Sequence, residues 1–114
     1  MESSDAEMRY KEAQFKKRYY LKMEVMCFYS QHDPPQCANP FGEHQLPYTN
    51  LDALTIDHID DDGAERRAEE GHGYRFYCWL KKHHYPGGYQ VLCWNCQWIK
   101  RNQGLRANLP NLQL

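Results

Sequence analysis

Apolar side chains recur at three-, four- and seven-residue steps from Met8 through Phe15, Tyr19, Met23 and Met26, with no Gly or Pro between them. That period lines one face of an α-helix and predicts an amphipathic helix over residues 6–28, its basic residues falling largely between the apolar positions. Asp33-Pro34-Pro35 ends this region, and residues 33–50, which hold four of the six prolines, read as loop. Leu51 to Ile59 is short and apolar, with β-branched Thr55 and Ile56, and predicts a strand. Asp60-Asp61-Asp62-Gly63 is a turn, and residues 64–73 are charged and glycine-bounded, a loop or a weak helical turn. Tyr74 to His83 predicts a second helix, with Phe76, Trp79, Leu80 and His83 on one face and a stop at Pro86-Gly87-Gly88. Tyr89 to Leu92 predicts a short strand and Trp94 to about Gln103 a last helix, with Trp94 and Trp98 packed against the sheet and the first helix. The organisation expected is a basic amphipathic helix over 1–28, one domain over 29–103, and a poorly ordered tail over 104–114.

Composition narrows the class. A hydrophobic fraction of 41% gives a modest core, and a small core usually needs a staple such as a metal or oligomerisation. Nine Tyr, four Phe and three Trp partly compensate, because each ring buries much area. The net charge of −1 argues against a generic polyanion binder, but the charges are segregated. Arg9, Lys11, Lys16, Lys17, Arg18 and Lys22 face only Glu12 within residues 9–22, and Lys100, Arg101 and Arg106 follow the last acid, Glu70. Asp57, Asp60, Asp61, Asp62, Glu65, Glu69 and Glu70 sit between them. Basic flanks around an acidic centre fit a protein that holds phosphates at its edges, through Lys16, Lys17, Arg18, Lys100 and Arg101, and a divalent cation in the middle. For any single run, a solvated face is the plainer reading. Five cysteines, a polar and acidic start, and no apolar stretch near membrane-spanning length predict a reducing, cytoplasmic setting with no membrane partner.

In such a setting Cys93-x2-Cys96 reads as metal-binding, because a tight turn brings both sulfurs to one side. A structural zinc needs two further ligands. The upstream candidates are Cys27, Cys37 and His44; Cys37 and His44 are favoured because Ala38-Asn39-Pro40-Phe41-Gly42-Glu43 between them can fold back as a knuckle. Cys27, in phase with the first helix, and Cys78, within Phe76-Tyr77-Cys78-Trp79-Leu80, are expected to be buried small hydrophobes. A thiol redox role for Cys93 and Cys96 is weaker, since that chemistry expects a βαβ context after an N-terminal strand.

Asp57 and His58 form the other chemical pair. A carboxylate is a hard ligand for a divalent ion that hydrolyses phosphodiesters, and an imidazole suits general-base work near neutral pH. Neighbours on a strand point to opposite faces, so the two converge only if the chain bends there. The turn that follows supplies such a bend.

An apolar strand ending in Asp57-His58-Ile59-Asp60, then the Asp62-Gly63 turn, then Leu92-Cys93-x-x-Cys96 with its first cysteine 35 residues after the histidine (58 to 93), then Lys100, resembles the HNH nucleases. Phe76-Tyr77-Cys78-Trp79-Leu80-Lys81-Lys82 and Tyr85-Pro86-Gly87-Gly88-Tyr89-Gln90-Val91 extend the likeness to small zinc-containing HNH endonucleases of bacteriophages and prophages, from about Tyr29 to Arg101. The resemblance implies an α+β fold with a ββα-metal core buttressed by zinc, and an enzyme that cuts one or both strands of double-stranded DNA, as in phage or homing endonucleases. It implies Mg²⁺ or Mn²⁺ on Asp57, water activation by His58, and a place for a partner such as a phage packaging protein in the host cytoplasm. The family's third position, usually His or Asn after the second knuckle cysteine, falls on Gln97, one methylene longer than Asn. Lys100 matches a lysine of the same helix that contacts phosphate or packs its stem. The middle Asn of the family's name falls near Gly88, so a water or a backbone carbonyl is expected to brace the base. Pro40 stands where a second cysteine of the first knuckle would be, which brings in His44.

Overall fold

The longest apolar period becomes the longest element. In the computed structural model, which describes residues 2–109, helix α1 spans Glu2–Ser30. It is followed by a 3-10 turn at Leu51–Ala53, strand β1 at Leu54–His58, α2 at Gly63–Glu70, α3 at Tyr74–Lys82, β2 at Tyr89–Cys93 and α4 at Trp94–Ala107. The chain is α+β, with one two-stranded antiparallel sheet among the described residues. Its register pairs Leu54 with Cys93, Ile56 with Val91 and His58 with Tyr89.

Strand β2 is buried on both faces, so adjacent Val91 and Leu92 both join Leu54 in the core beside Met26, while Val25 and Leu80 fill a second cluster with Phe76 and Tyr89. Each large aliphatic side chain so buried contributes about 2 kcal/mol. The α1 stripe meets the core only from Tyr19 onward, through Tyr19, Leu21, Met23, Val25 and Met26. Met8 and Phe15 are exposed, because the N-terminal half of α1 runs past the body of a molecule 62 Å long and 29 Å thick. Tyr29 ties the helix end to the loop before β2 by donating its hydroxyl to Pro86 O at 2.7 Å.

Several expectations shift. The strand expected over 51–59 begins three residues later, because Asn50 caps a 3-10 turn by accepting from Asp52 N. Where residues 64–73 are expected to form a loop or a weak helical turn, Gly63–Glu70 is a full two-turn helix, its Glu70 buried. The last helix continues through Gly104, whose helix cost of about 1 kcal/mol relative to Ala is outweighed by its neighbours. The remainder of the expected tail, residues 110–114, lies outside the described residues. Cys78 is exposed rather than core, since Phe76 and Leu80 one turn apart take the inward face of α3 and Cys78 lies opposite. Trp94 and Trp98 are likewise exposed: α4 turns Cys96 inward and leaves both rings outside. Among the described residues, no helix is long and apolar enough to cross a membrane.

Candidate functional site

The sheet carries a chemical cluster at each end. At the Cys93 end, one ligand atom each from Cys37, His44, Cys93 and Cys96 lies within 4.8 Å of the others. Backbone amides aim at the sulfurs: Cys93 N and Asn39 N donate to Cys37 Sγ at 3.3 and 3.4 Å, and Cys96 N donates to Cys93 Sγ at 3.5 Å. His44 Nε2 stands 3.2 Å from Cys93 Sγ and 3.6 Å from Cys96 Sγ. The arm bearing Cys37 and His44 is held on both sides. Ala38 N donates to Val91 O at 2.8 Å and Cys37 N to Tyr48 O at 3.0 Å, while Asn39 exchanges two hydrogen bonds with the backbone of His44. Gly42, at φ +69°, makes the reversal between them.

Three thiols and an imidazole form a closed donor set that could bind a structural metal such as zinc. Burial, then hydrogen bonds that the Cys96 thiol donates to Cys37 and Cys93, push its pKa up, so a bound divalent ion would supply the positive charge that favours its thiolate. Cys27 is not part of the cluster, and the five cysteines are unpaired.

At the His58 end, a cavity of about 220 Å³ is lined by Ile56, Asp57, His58, Asp61, Gly63 and Gln97. Adjacent Asp57 and His58 both line it while still paired within β1, and the chain bends immediately after the strand. Asp61 N donates to His58 O at 3.1 Å, and Asp61 takes φ +59°. A methyl group at Gly63 would stand 2.8 Å from His58 Nδ1, so glycine is needed for α2 to start against the ring.

His58 is fixed on every side. Its ring stacks on Phe76 at 5.5 Å and meets the Tyr89 ring edge-on at 5.1 Å. Nε2 lies 2.9 Å from Glu70 Oε1, and the other Glu70 oxygen accepts the Tyr89 hydroxyl. Burial, reinforced by Glu70, raises the Tyr89 pKa, so the hydroxyl stays protonated and donates. An ionised carboxylate only accepts, so the proton of a neutral His58 sits on Nε2, and the lone pair is left on Nδ1 beside Gly63. Glu70 is therefore the brace that was expected to be a water or a backbone carbonyl. It is buried to 2% exposure, with Arg66 Nε 3.7 Å away.

Asp57, 7% exposed, accepts at Oδ2 from Gln90 Nε2 at 2.9 Å and from Lys100 Nζ at 2.6 Å. Gln97 Nε2 donates to Thr55 Oγ1 at 2.8 Å, and that hydroxyl donates to Leu92 O at 2.7 Å. The amide nitrogen of Gln97 is thereby occupied, and its side chain lines the same cavity as Asp57. The Lys100 ammonium, on a residue expected to contact phosphate or pack its stem, is engaged with Asp57, Asp61 and two backbone carbonyls. Burial acts to lower its pKa, but bonds to the two carboxylates outweigh that and raise it, so the group stays cationic.

The remaining candidates lie elsewhere. Lys16, Lys17 and Arg18 are exposed on α1, where the Arg18 guanidinium covers the Tyr74 ring at 5.3 Å. Arg101 is exposed on α4, over the Trp98 ring at 5.1 Å. His72, His83 and His84 are exposed, His83 Nδ1 meeting Trp79 O at 2.8 Å where α3 ends. A larger groove, about 560 Å³ between α1 and α3, brings together Lys17, Glu24, Lys81 and Lys82 with aromatic rings but no convergent ligand set. Size alone does not make it the chemical site. Glu70, Tyr89, Gln90, Thr55 and Gly63 escape a sequence reading. Only the one-turn spacing of Arg66 and Glu70 hints at a shared face, and nothing local marks Glu70 as buried. Comparison with models of known families, with curated proteins and with solved structures finds no match to this chain.

Proposed function

We propose that the chain is a metal-dependent DNA endonuclease with a ββα-metal core of HNH type, its Cys37-His44-Cys93-Cys96 cluster holding structural zinc. One observation carries the reading: Asp57, His58 and Gln97 line one cavity, with His58 Nε2 held by a buried carboxylate so that Nδ1 is the free base. An Asp-His pair with that degree of support has no purpose in a purely structural module.

In the proposed reaction His58 Nδ1 takes a proton from water, and the resulting hydroxide oxygen bonds to phosphorus in line with the departing 3′ oxygen. The P–O3′ bond breaks, the 3′ oxygen gains a proton from solvent, and the products are 5′-phosphate and 3′-hydroxyl ends. A Mg²⁺ or Mn²⁺ ion held by Asp57 and Gln97 would supply charge stabilisation for the phosphate and the leaving oxygen. Glu70 fixes the tautomer and stabilises the imidazolium that forms. Lys16, Lys17 and Arg18 on α1 and Arg101 beside Trp98 on α4 supply backbone contacts to double-stranded DNA, which position it without specifying sequence.

One observation favours the rival reading, a zinc-stabilised binding module with a silent site: Lys100 already neutralises Asp57. A plasmid-nicking assay separates the two. Cleavage is expected with added Mg²⁺ or Mn²⁺, is abolished by EDTA under conditions that leave zinc in place, and falls at least about 100-fold in His58→Ala. A folded, zinc-loaded, DNA-binding protein that shows no cleavage under any divalent ion supports the silent module.

A further inference from the structure

Lys100 lies on α4 three residues beyond Gln97, and its ammonium sits in a cage of oxygens. Nζ is 2.6 Å from Asp57 Oδ2, 2.7 Å from His58 O, 3.0 Å from Asp61 Oδ1 and 3.2 Å from Ile59 O. The side chain is 17% exposed. An ammonium has three donors, so four oxygens at these distances mark a site that selects positive charge. The residue that supplies the first of those oxygens is the one that would hold the divalent ion. Gln90 and Lys100 both address Oδ2 of Asp57, which leaves Oδ1 to ligate.

We propose that Lys100 is a resident cation that holds down the affinity of the Asp57–Gln97 site for a divalent ion, so that the site loads fully only when a phosphodiester adds its negative charge. The inference rests on the endonuclease reading and adds a regulation to it. Two effects of Lys100 oppose each other. It orients the Asp57 carboxylate, which helps an ion bind, and it places a like charge on the same carboxylate, which hinders it. A charged hydrogen bond is a modest net contribution, whereas a monocation and a dication sharing one carboxylate in a poorly solvated place repel strongly and are little screened by salt. Repulsion wins, so removing the ammonium tightens binding. Asp61, the second carboxylate in the cage, is too exposed to offset it. A phosphate oxygen entering the cavity brings the missing negative charge, which links metal loading to DNA and suppresses an empty, metal-charged site.

The test is a Mn²⁺ titration of the zinc-loaded full chain without DNA, read by the electron-paramagnetic-resonance signal of free Mn²⁺. Lys100→Met is expected to bind Mn²⁺ at least tenfold more tightly than wild type, which corresponds to about 1.4 kcal/mol. Lys100→Gln keeps a donor for Asp57 without the charge. It should track the Met variant, and it decides the matter if Lys100→Met does not fold. Lys100→Arg, which keeps the charge, should stay within threefold of wild type. In a His58→Ala background, a short DNA duplex should tighten Mn²⁺ binding more when Lys100 is present than when it is Met. Unchanged or weaker Mn²⁺ binding by the neutral variants overturns the inference and makes Lys100 a group that only positions Asp57. Absence of Mn²⁺ binding in wild type and variants alike, with zinc retained, sinks the endonuclease reading itself and the inference with it.

Discussion

The two ends of one short hairpin are built by opposite means. At the Cys93 end the three sulfurs are buried and His44 is half-buried, backbone amides aim at the Cys37 and Cys93 sulfurs, and the strand, the knuckle and the start of α4 hold the cluster without help from other charged side chains. At the His58 end the same two strands carry Asp57, His58 and their partners, and every group there is held by another side chain: Glu70, Tyr89, Gln90, Lys100. Helix α4 joins the two. It starts at the metal-type cluster and runs back along β1, so that Gln97 meets Thr55 and Lys100 meets Asp57 and His58. A backbone-built end is rigid and dispensable for charge; a side-chain-built end is adjustable and depends on the first. Damage should therefore pass from the Cys93 end to the His58 end and not in reverse.

The largest expected effect tests that direction. Cys93→Ser removes a ligand and the sulfur that accepts from Cys96 N. A structural zinc site in a domain with so small a core contributes on the order of 10 kcal/mol of binding free energy to folding. The variant is expected to lose stoichiometric zinc and its cooperative thermal transition by circular dichroism, and a zinc-selective chelator should do the same to wild type. A variant that kept a sharp transition without zinc would show that the hydrophobic clusters alone hold the hairpin.

Glu70→Gln probes the other end at a smaller scale. The amide keeps the volume and can still accept from His58 Nε2, but the charge that would stabilise an imidazolium is gone. Cleavage is expected to fall by about 10- to 100-fold, as when other groups that hold a functional histidine are altered. Zinc content should be unchanged, measured on the sample used for nicking kinetics. Loss of zinc in this variant would break the one-way dependence between the two ends.

What the sequence disclosed follows the same division. The closed end was legible, because Cys93 and Cys96 lie close together in the chain and Cys37 and His44 flank a segment able to fold back. The preference for His44 over Cys27 agrees with the cluster observed. Both strands and all of the long periodic helices were legible too, since their apolar spacing is local. The open end was legible only as a pair, Asp57 and His58. Its supports come from α2, β2 and α4, and no local pattern tells that the last glutamate of Glu65-Arg66-Arg67-Ala68-Glu69-Glu70 is buried while its neighbour Glu69 is exposed. A charged stretch bounded by glycines looks like solvent-facing loop because most such stretches are; the packing of Tyr89 and Phe76 overrides that here. Trp94 and Trp98 failed in the opposite sense. Hydrophobicity placed them inside, but the phase of α4 is set by Cys96 and Gln97, and the rings fall on the remaining face.

The smallest effect concerns Gln97, whose extra methylene relative to Asn departs from the resemblance. In the structure that length has a use: it lets Nε2 reach Thr55 Oγ1 across the helix–strand gap at 2.8 Å, and the hydroxyl is in turn fixed on Leu92 O. Gln97→Asn shortens the reach and gives up this bond, so the amide oxygen loses its orientation though not its chemistry. Net hydrogen-bond contributions of about 1 kcal/mol translate into a roughly three- to tenfold weaker Mn²⁺ affinity, with the thermal transition nearly unmoved. Thr55→Val should produce a similar loss and Thr55→Ser almost none, because serine keeps the hydroxyl. The double variant Gln97→Asn with Thr55→Val should cost little more than either alone, since both remove the same bond, and a double-mutant cycle reads that coupling directly. If the two losses simply add, Thr55 does not orient Gln97. If Gln97→Asn instead binds Mn²⁺ more tightly, the longer amide is a handicap that the Thr55 contact does not relieve.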